Sequence, residues 1–278
     1  MALIDFILNL AGLLLWLSWC SVRFDPLDKR RPATLIGTLR RAEPQHLRRW
    51  HLLVALAGLL LLRAGIYWQI GSATKPVWAG TLNLGVLVPA FKSDSLLRMT
   101  IFSCFSFGLT FGMFYLCLLL LSILAGPEPF HRLVRMPLGG MDRWPRWAKF
   151  LLPLVATAAF WWLGSWLLAS LQVIPEPVSP AHRLEEALVI ALGSYLIWKY
   201  VIGALLILHL LNSYIYFGKH PFWAYVNAEA QTLVSPLRGL PLRVGKVDFA
   251  PIVGMALVFL AAELAGRGLG FLYGKLPF

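Results

Sequence analysis

Residues 101–125 read IFSCFSFGLTFGMFYLCLLLLSILA and contain no Asp, Glu, Lys or Arg. At 1.5 Å per residue, a helix of this length crosses a hydrocarbon core about 30 Å thick. A soluble protein could not cover so long an apolar helix with polar surface. This stretch therefore predicts a membrane-spanning helix.

Five further apolar runs accompany this one. Of 278 residues, 59% are hydrophobic and 14% charged, whereas a soluble domain is about a quarter charged. We predict an all-α, polytopic integral membrane protein with six transmembrane helices, arranged as three helix–basic connector–helix hairpins within one membrane domain. The first run has no preceding basic region and no small-residue cleavage site, so we interpret it as a retained helix. The predicted spans are 2–19, 50–70, 101–125, 149–172, 186–214 and 250–272, and the hairpins are 1–70, 101–172 and 186–272.

Lys and Arg are concentrated in alternate connections. The connections 20–49, 126–149 and 217–249 hold 17 of these residues, whereas the opposite side holds five. The positive-inside rule predicts that the basic connectors are cytoplasmic and both termini lie outside. It also explains the net charge of +12 without nucleic acid. We expect amphipathic connector helices that contact anionic lipid headgroups or a partner. The residues predicted for this contact are Arg40, Arg41, Arg48, Arg49, Arg132, Arg135, Arg143 and Arg146.

The third connector carries an ordered motif with weaker counterparts in the other two connectors, which suggests an internal repeat. Its residues are His220, Pro221, Pro236, Leu237, Arg238, Pro241, Gly245, Asp248 and Pro251. Over about residues 190–265 they resemble the repeat of the YggT/YlmG family of small bacterial and plastid membrane proteins. The usual Asn-Pro of that repeat is His220-Pro221 here, and the usual Ser before the last Pro is Ala250. The resemblance implies a role in osmotic and cation homeostasis, cell division or assembly of plastid cytochrome complexes, without established enzyme activity.

Local signals predict where some helices begin. Pro153 and Pro251 are expected in the first turns of their helices, where a missing N–H costs little. Asp248 is expected to cap the last helix. In the loop between the second and third spans, residues 82–91 are apolar but too short to span, so we expect an interfacial or re-entrant piece there.

Four charges stand out inside the predicted spans: Arg63, Lys199, Glu263 and Arg267. The first three each lie 13 residues from the start of a predicted span, about 20 Å along the helix. We expect an intramembrane charge cluster in which Glu263 pairs with Lys199 or Arg63 and shares a helix face with Arg267. Such charges are costly and often functional. A structural ion pair and an ion or proton path both remain open, and the excess of positive groups suits an anionic ligand better than a cation.

No catalytic template is present: the sequence has no HExxH, nucleophile elbow or glycine-rich phosphate loop. The three cysteines have no metal-binding spacing, and His209 has no second histidine at matching depth for a haem. We predict no metal and no cofactor. The leading hypothesis is a non-enzymatic scaffold or assembly factor with a membrane-protein partner or a second copy of itself. Cation or small-solute transport, or osmotic homeostasis, is the alternative, and a membrane enzyme is a further one.

Overall fold

A computed structural model describes residues 2–23, 49–74, 78–85, 87–124, 131–175, 179–215, 220–239, 242–244 and 247–275. Six helical segments are long and apolar enough to cross a membrane, so the prediction of an all-α polytopic membrane protein is confirmed. They are Leu3–Ser21, Trp50–Ala73, Leu96–Leu124, Arg146–Ser170, Pro180–Tyr214 and Ala250–Lys275.

The described elements are numbered here in chain order. The helices are α1 (Ala2–Arg23), α2 (Arg49–Ala73), α3 (Leu96–Leu124), α4 (His131–Leu138), α5 (Arg146–Ser170), α6 (Pro180–Ser194), α7 (Trp198–Tyr214), α8 (Pro221–Val234) and α9 (Ala250–Lys275). Short 3-10 turns occupy Gly139–Arg143, Tyr195–Ile197 and Ser235–Gly239. Two ribbons pair β1 (Ala79–Thr81) with β2 (Ala90–Lys92) and β3 (Arg243–Val244) with β4 (Val247–Asp248).

The chain divides into two compact units. The first contains Met1–Gly80 and Phe91–Phe111, and the second contains Thr81–Ala90 and Gly112–Phe278. This boundary falls within α3, so the predicted second hairpin is shared between the units. In the first unit α1 packs against α2, whereas in the second α9 packs against α7 and α5 packs most extensively against α6. Because α5 and α6 belong to different predicted hairpins, packing does not follow the hairpin grouping throughout.

Two of the three connectors contain a described α-helix. As predicted, the second connector contains α4 and the third contains α8, while the first lies almost wholly outside the described residues. Of the apolar segment 82–91, residues 82–85 and 87–89 lie between the strands of the β1–β2 ribbon and residues 90–91 lie in its second strand. The N–H of Leu84 donates to the carbonyl of Leu87 at 3.0 Å. Gly85 in this turn has φ +87°, a conformation that glycine adopts without steric cost.

Three predicted helix starts are wrong. The third span begins at Leu96 rather than at residue 101. The fifth span begins with Pro180, capped by Ser179, rather than at residue 186. The fourth begins at Arg146, so Pro153 lies inside α5 rather than in its first turn. Beyond this proline, the N–H of Leu154 donates to Tyr195 Oη at 3.2 Å, and that hydroxyl donates to the carbonyl of Phe150. The Tyr195 hydroxyl thus bridges two backbone groups of α5 that lie one turn apart. Insertion of a side chain between such groups is a recognised cause of local helix distortion.

Gly71, near the end of α2, provides a test of packing in the first unit. A Cβ at this position would lie 2.5 Å from Ser93 Oγ and 2.6 Å from Ser93 Cβ. Gly71→Ala is therefore expected to lower stability by about 1–3 kcal/mol through overpacking, measured by thermal unfolding in detergent. Gly58→Ala is the matched control, because nothing lies within 4 Å of its added Cβ. Equal melting temperatures for the two variants would contradict this packing.

Candidate functional site

The first polar group lies in the first unit and surrounds Arg63, whose side chain is 0% exposed. Asp5 and Asn9 lie one turn apart on α1, Arg63 and Tyr67 lie one turn apart on α2, and Ser106 lies on α3. The Arg63 guanidinium donates to Asn9 Oδ1 at 2.7 Å, to Ser106 Oγ at 2.6 Å and to Asp5 Oδ1. Tyr67 Oη donates to the same Asp5 oxygen at 2.7 Å. We name these five residues the Arg63 cluster.

Aromatic rings enclose the guanidinium. Arg63 Cζ lies 5.6 Å from the ring centre of Tyr67 and 5.7 Å from that of Phe102, within the range of cation–π attraction. Asp5 supplies the counter-charge, and Nε alone of the guanidinium nitrogens lacks an acceptor among the described residues. Asp5 neutralises the charge of Arg63, and Asn9 and Ser106 accept its other hydrogen bonds. Arg63 therefore links three helices rather than binding an anion.

The second group lies in the second unit, where α3, the turn after α4 and the start of α5 meet. Ser122 Oγ donates to Asp142 Oδ1 at 2.6 Å and accepts from Lys149 Nζ at 2.7 Å. Lys149 Nζ lies 3.5 Å from the Asp142 carboxylate, and their side chains are 7% and 6% exposed. We name these three residues the Lys149 cluster. A serine beside a lysine resembles a nucleophile and its base, but here the lysine is ion-paired and the serine is buried, so the arrangement is structural.

The four predicted intramembrane charges do not assemble into one site. Arg63 is paired with Asp5, and Lys199 Nζ lies 5.2 Å from the ring centre of Tyr200. Glu263 accepts from Arg267 at 3.0 Å along α9. This last pairing agrees with the predicted shared face, whereas the expected pairing of Glu263 with Lys199 or Arg63 is not found among the described contacts.

The Glu263–Arg267 pair differs from the two buried clusters in its exposure. The Glu263 and Arg267 side chains are 58% and 76% exposed, although they lie within a candidate membrane span. Both residues are on a helix that contributes few side chains to the core of the second unit. The pair therefore points away from the described core of the second unit.

The packing of α8 against α7 includes one polar contact and one buried acid. His209 Nδ1 on α7 and Asn227 Oδ1 on α8 lie 2.8 Å apart. Glu229 on α8 is 1% exposed, and neither carboxyl oxygen has a hydrogen-bond partner among the described residues. Burial raises the pKa of Glu229 to about 7.

The motif residues of the third connector act mainly as helix caps and packing groups. His220 Nδ1 accepts from the N–H of Phe222 at 3.2 Å, with Pro221 as the first residue of α8. The Asp248 carboxylate accepts from the N–H of Ala250 at 2.9 Å, which confirms the predicted cap of α9. Pro251 is buried in the first turn of α9, as predicted. Pro236 and Leu237 lie in the 3-10 turn after α8. Pro241, Gly245 and the Arg238 side chain lie outside the described residues.

The predicted lipid contacts are described only in part. Arg143 and Arg146 are exposed at the start of α5, beside Trp144 at 46% and Trp147 at 68% exposure. This mixture of arginine and tryptophan is typical of a membrane interface. The other predicted contacts lie outside the described side chains: Arg40, Arg41, Arg48, Arg49, Arg132 and Arg135.

Within the described residues, no group of three or more His, Cys, Asp or Glu side chains could hold a metal ion. Comparison of the chain with family models, curated proteins and solved structures gives no match. Its function is therefore argued below from its own residues.

Sequence reasoning did not identify the partners of the buried cations. Asp5 lies inside the first predicted span, and it shares a helix face with Asn9 at four-residue spacing. That pattern, matched by Arg63 and Tyr67 on the second span, was a usable signal for an ion pair between neighbouring helices. Lys149 and Glu229 carried no comparable signal, because both lie in the predicted connectors, where charged side chains are expected in contact with water.

Proposed function

We propose that this chain is a non-enzymatic, YggT-like scaffold or assembly factor that binds a membrane-spanning helix of a partner protein along α9. The observation that carries the proposal is the exposed Glu263–Arg267 ion pair within a candidate membrane span. The two buried clusters are satisfied internally, whereas this pair is left uncovered by the second unit.

The position of the pair along α9 gives its exposure an energetic cost. Glu263 lies 13 residues from Ala250, about 20 Å along the helix, and the hydrocarbon core is about 30 Å thick. An isolated charge at a helix centre costs about 2.5–3.5 kcal/mol on insertion scales. Arg267 offsets part of this cost, and a second helix packed over the pair removes more of it by excluding lipid.

The surroundings of the pair fit a helix with mixed apolar and polar contacts. Leu260, Leu264 and Phe271 on α9 are 56%, 60% and 63% exposed and offer apolar contact area. An added Cβ at Gly270 would meet open space, which permits close helix approach. Because Arg267 is the more exposed member of the pair, we propose that the partner helix is apolar and presents a hydrogen-bond acceptor to it.

The connectors support a scaffold role in a different way. We propose that the basic connectors face the cytoplasm of a bacterial inner membrane and both termini lie outside. Exposed Arg143 and Arg146 beside Trp144 and Trp147 suit contact with anionic headgroups. The resemblance of the third connector to the YggT/YlmG repeat supports an assembly role, since that family is linked to assembly of membrane complexes. The transport alternative shares the support of the resemblance, but the described contacts of Arg63 and Glu263 are with Asp5 and Arg267 and do not join the predicted charges into one site.

The proposal is tested by purifying the tagged chain from its native membrane in mild detergent. We expect a stoichiometric membrane-protein partner with the wild type. Recovery of that partner is expected to fall about tenfold or more in the double variant Glu263→Gln, Arg267→Gln, because a loss of about 1.4 kcal/mol of binding free energy is tenfold in affinity. Asp94→Asn, Arg98→Gln is the matched control, since it removes an ion pair of the same spacing near the start of α3.

Site-specific photo-crosslinking identifies the face involved. A photoreactive residue at Leu264 on α9 is expected to form an adduct with the partner, whereas one at Leu163 on α5, which is 63% exposed, is not. A wild-type protein that emerges alone, or an adduct between two copies of this chain, would overturn the proposal. Cation flux in liposomes, with Glu263→Gln as the variant, would then be the next measurement.

A further inference from the structure

The connector helix α8 is amphipathic and packs against α7, the start of α9 and the end of α3. Its buried face carries Tyr225, Val226, Glu229, Ala230 and Val234. Tyr225 and Val226 form an apolar cluster with Leu205 of α7, and Leu121 and Leu124 of α3 pack against this cluster. Ala230 and Val234 form a second cluster with Leu206 of α7 and Ala250 of α9. Glu229 therefore lies in the middle of a hydrophobic interface.

No residue that the structure describes supplies a counter-charge to the Glu229 carboxyl group in that interface. It is 1% exposed, and its two oxygens have no hydrogen-bond partner among the residues that the structure describes. An ionised carboxylate in such a place is strongly disfavoured, so the group takes up a proton instead. Burial is the cause that raises its pKa to about 7.

No described titratable group around α8 forms a hydrogen bond with the Glu229 carboxyl group. On α8 itself, burial and then the charge of Glu229 raise the pKa of Tyr225, which keeps that phenol neutral. On α7, His209 is bonded to Asn227, and at the start of α9, Asp248 caps the helix.

On α3, the contacts with this face are made by leucines. Ser122 of α3 belongs to the Lys149 cluster, where Lys149 is bonded to it and paired with Asp142. Lys199, at the opposite end of α7, lies over the ring of Tyr200. Arg238, in the turn after α8, has a side chain outside the described residues.

We propose that Glu229 is a proton-binding site that couples the docking of α8 against α7 to the pH on the connector side of the membrane. With the carboxyl protonated, α8 lies docked. When the carboxyl ionises, the charge must leave the apolar interface, and α8 loosens. The inference is independent of the partner helix proposed for α9.

Docking of α8 is expected to weaken as pH rises, because burial raises the pKa of Glu229 in the docked state. The docked state holds the proton up to pH about 7, whereas an undocked glutamate loses it near its ordinary value of 4.5. Docking is therefore strongest below pH 4.5, weakens as pH rises toward 7, and is constant above that. Between about pH 5 and about pH 8.5, the ratio of docked to undocked α8 is expected to fall by roughly 50- to 100-fold.

Hydrogen–deuterium exchange of the full chain in nanodiscs measures this ratio. Protection factors for residues 221–234, corrected for the intrinsic pH dependence of exchange and referenced to α5, are expected to fall by that amount in the wild type. In Glu229→Gln, whose side chain cannot ionise, they are expected to stay constant across the same range. Glu185→Gln, which removes an exposed carboxylate on α6, is the matched control and should behave like the wild type.

Two outcomes would overturn the proposal. One is equal protection of α8 in the wild type at both pH values. The other is a pH response that persists in Glu229→Gln and disappears in His209→Gln, which would assign the response to the other titratable side chain of this interface. Infrared difference spectra give an independent readout: the protonated carboxylic acid band lost on raising the pH must be absent from Glu229→Gln.

Discussion

Asp5→Ala is expected to lower the free energy of unfolding by about 3 kcal/mol. The substitution leaves the fully buried Arg63 guanidinium without its counter-charge, and removing one partner of a buried pair typically costs about 3–5 kcal/mol. The lower end applies because 26% of the Asp5 side chain is exposed. Tyr67 also loses its acceptor. The measurement is denaturant unfolding in mixed micelles.

A double variant separates the lost counter-charge from lost packing. Asp5→Leu, Arg63→Met removes both charges, and it should be more stable than Asp5→Ala, because no unpaired charge is left behind. Asp94→Ala, which breaks a partly exposed pair with Arg98, is expected to cost less than about 1 kcal/mol. The interpretation fails if Asp5→Ala and Asp94→Ala have the same effect.

Lys149→Met is expected to have a comparable effect in the second unit, about 3–5 kcal/mol. It removes the ammonium group that lies 3.5 Å from the Asp142 carboxylate, whose side chain is 6% exposed, and with it the hydrogen bond to Ser122. Because the cluster ties the turn after α4 to α3 and α5, the exchange protection of α4 should fall in parallel with global stability. Thermal unfolding in detergent and hydrogen exchange of residues 131–143 provide the two measurements.

The control for this prediction is again a charge pair of the same type. Arg98→Met removes the cation of the partly exposed Asp94–Arg98 pair and should change stability by less than about 1 kcal/mol. Lys149→Met, Asp142→Asn should recover much of the loss, since it also removes the buried carboxylate that faces Lys149. If Lys149→Met is as mild as Arg98→Met, the Lys149 cluster does not stabilise the protein in this way.

The membrane-spanning helices and the cap of α9 were predictable from the sequence. The apolar run 101–125 and its five counterparts specify spans because a helix in lipid must satisfy its backbone internally and present apolar side chains outside. The cap of α9 was predictable because Asp248 and Pro251 act within one turn of their own helix. Pro153 was placed in the wrong turn because the polar start of α5 extends three residues before the apolar run.

The roles of the charged residues were decided by the tertiary structure. The sequence determined how deep Arg63, Glu263 and Arg267 lie along their helices, because depth depends on a fixed rise per residue. It did not determine which helix each one faces. That depends on the rotation of each helix and on its neighbours, and so Asp5 neutralises Arg63 while Glu263 and Arg267 remain exposed. The burial of Glu229 in a connector was likewise decided by the tertiary structure. Its raised pKa follows from the apolar interface that α8 forms only in the folded protein.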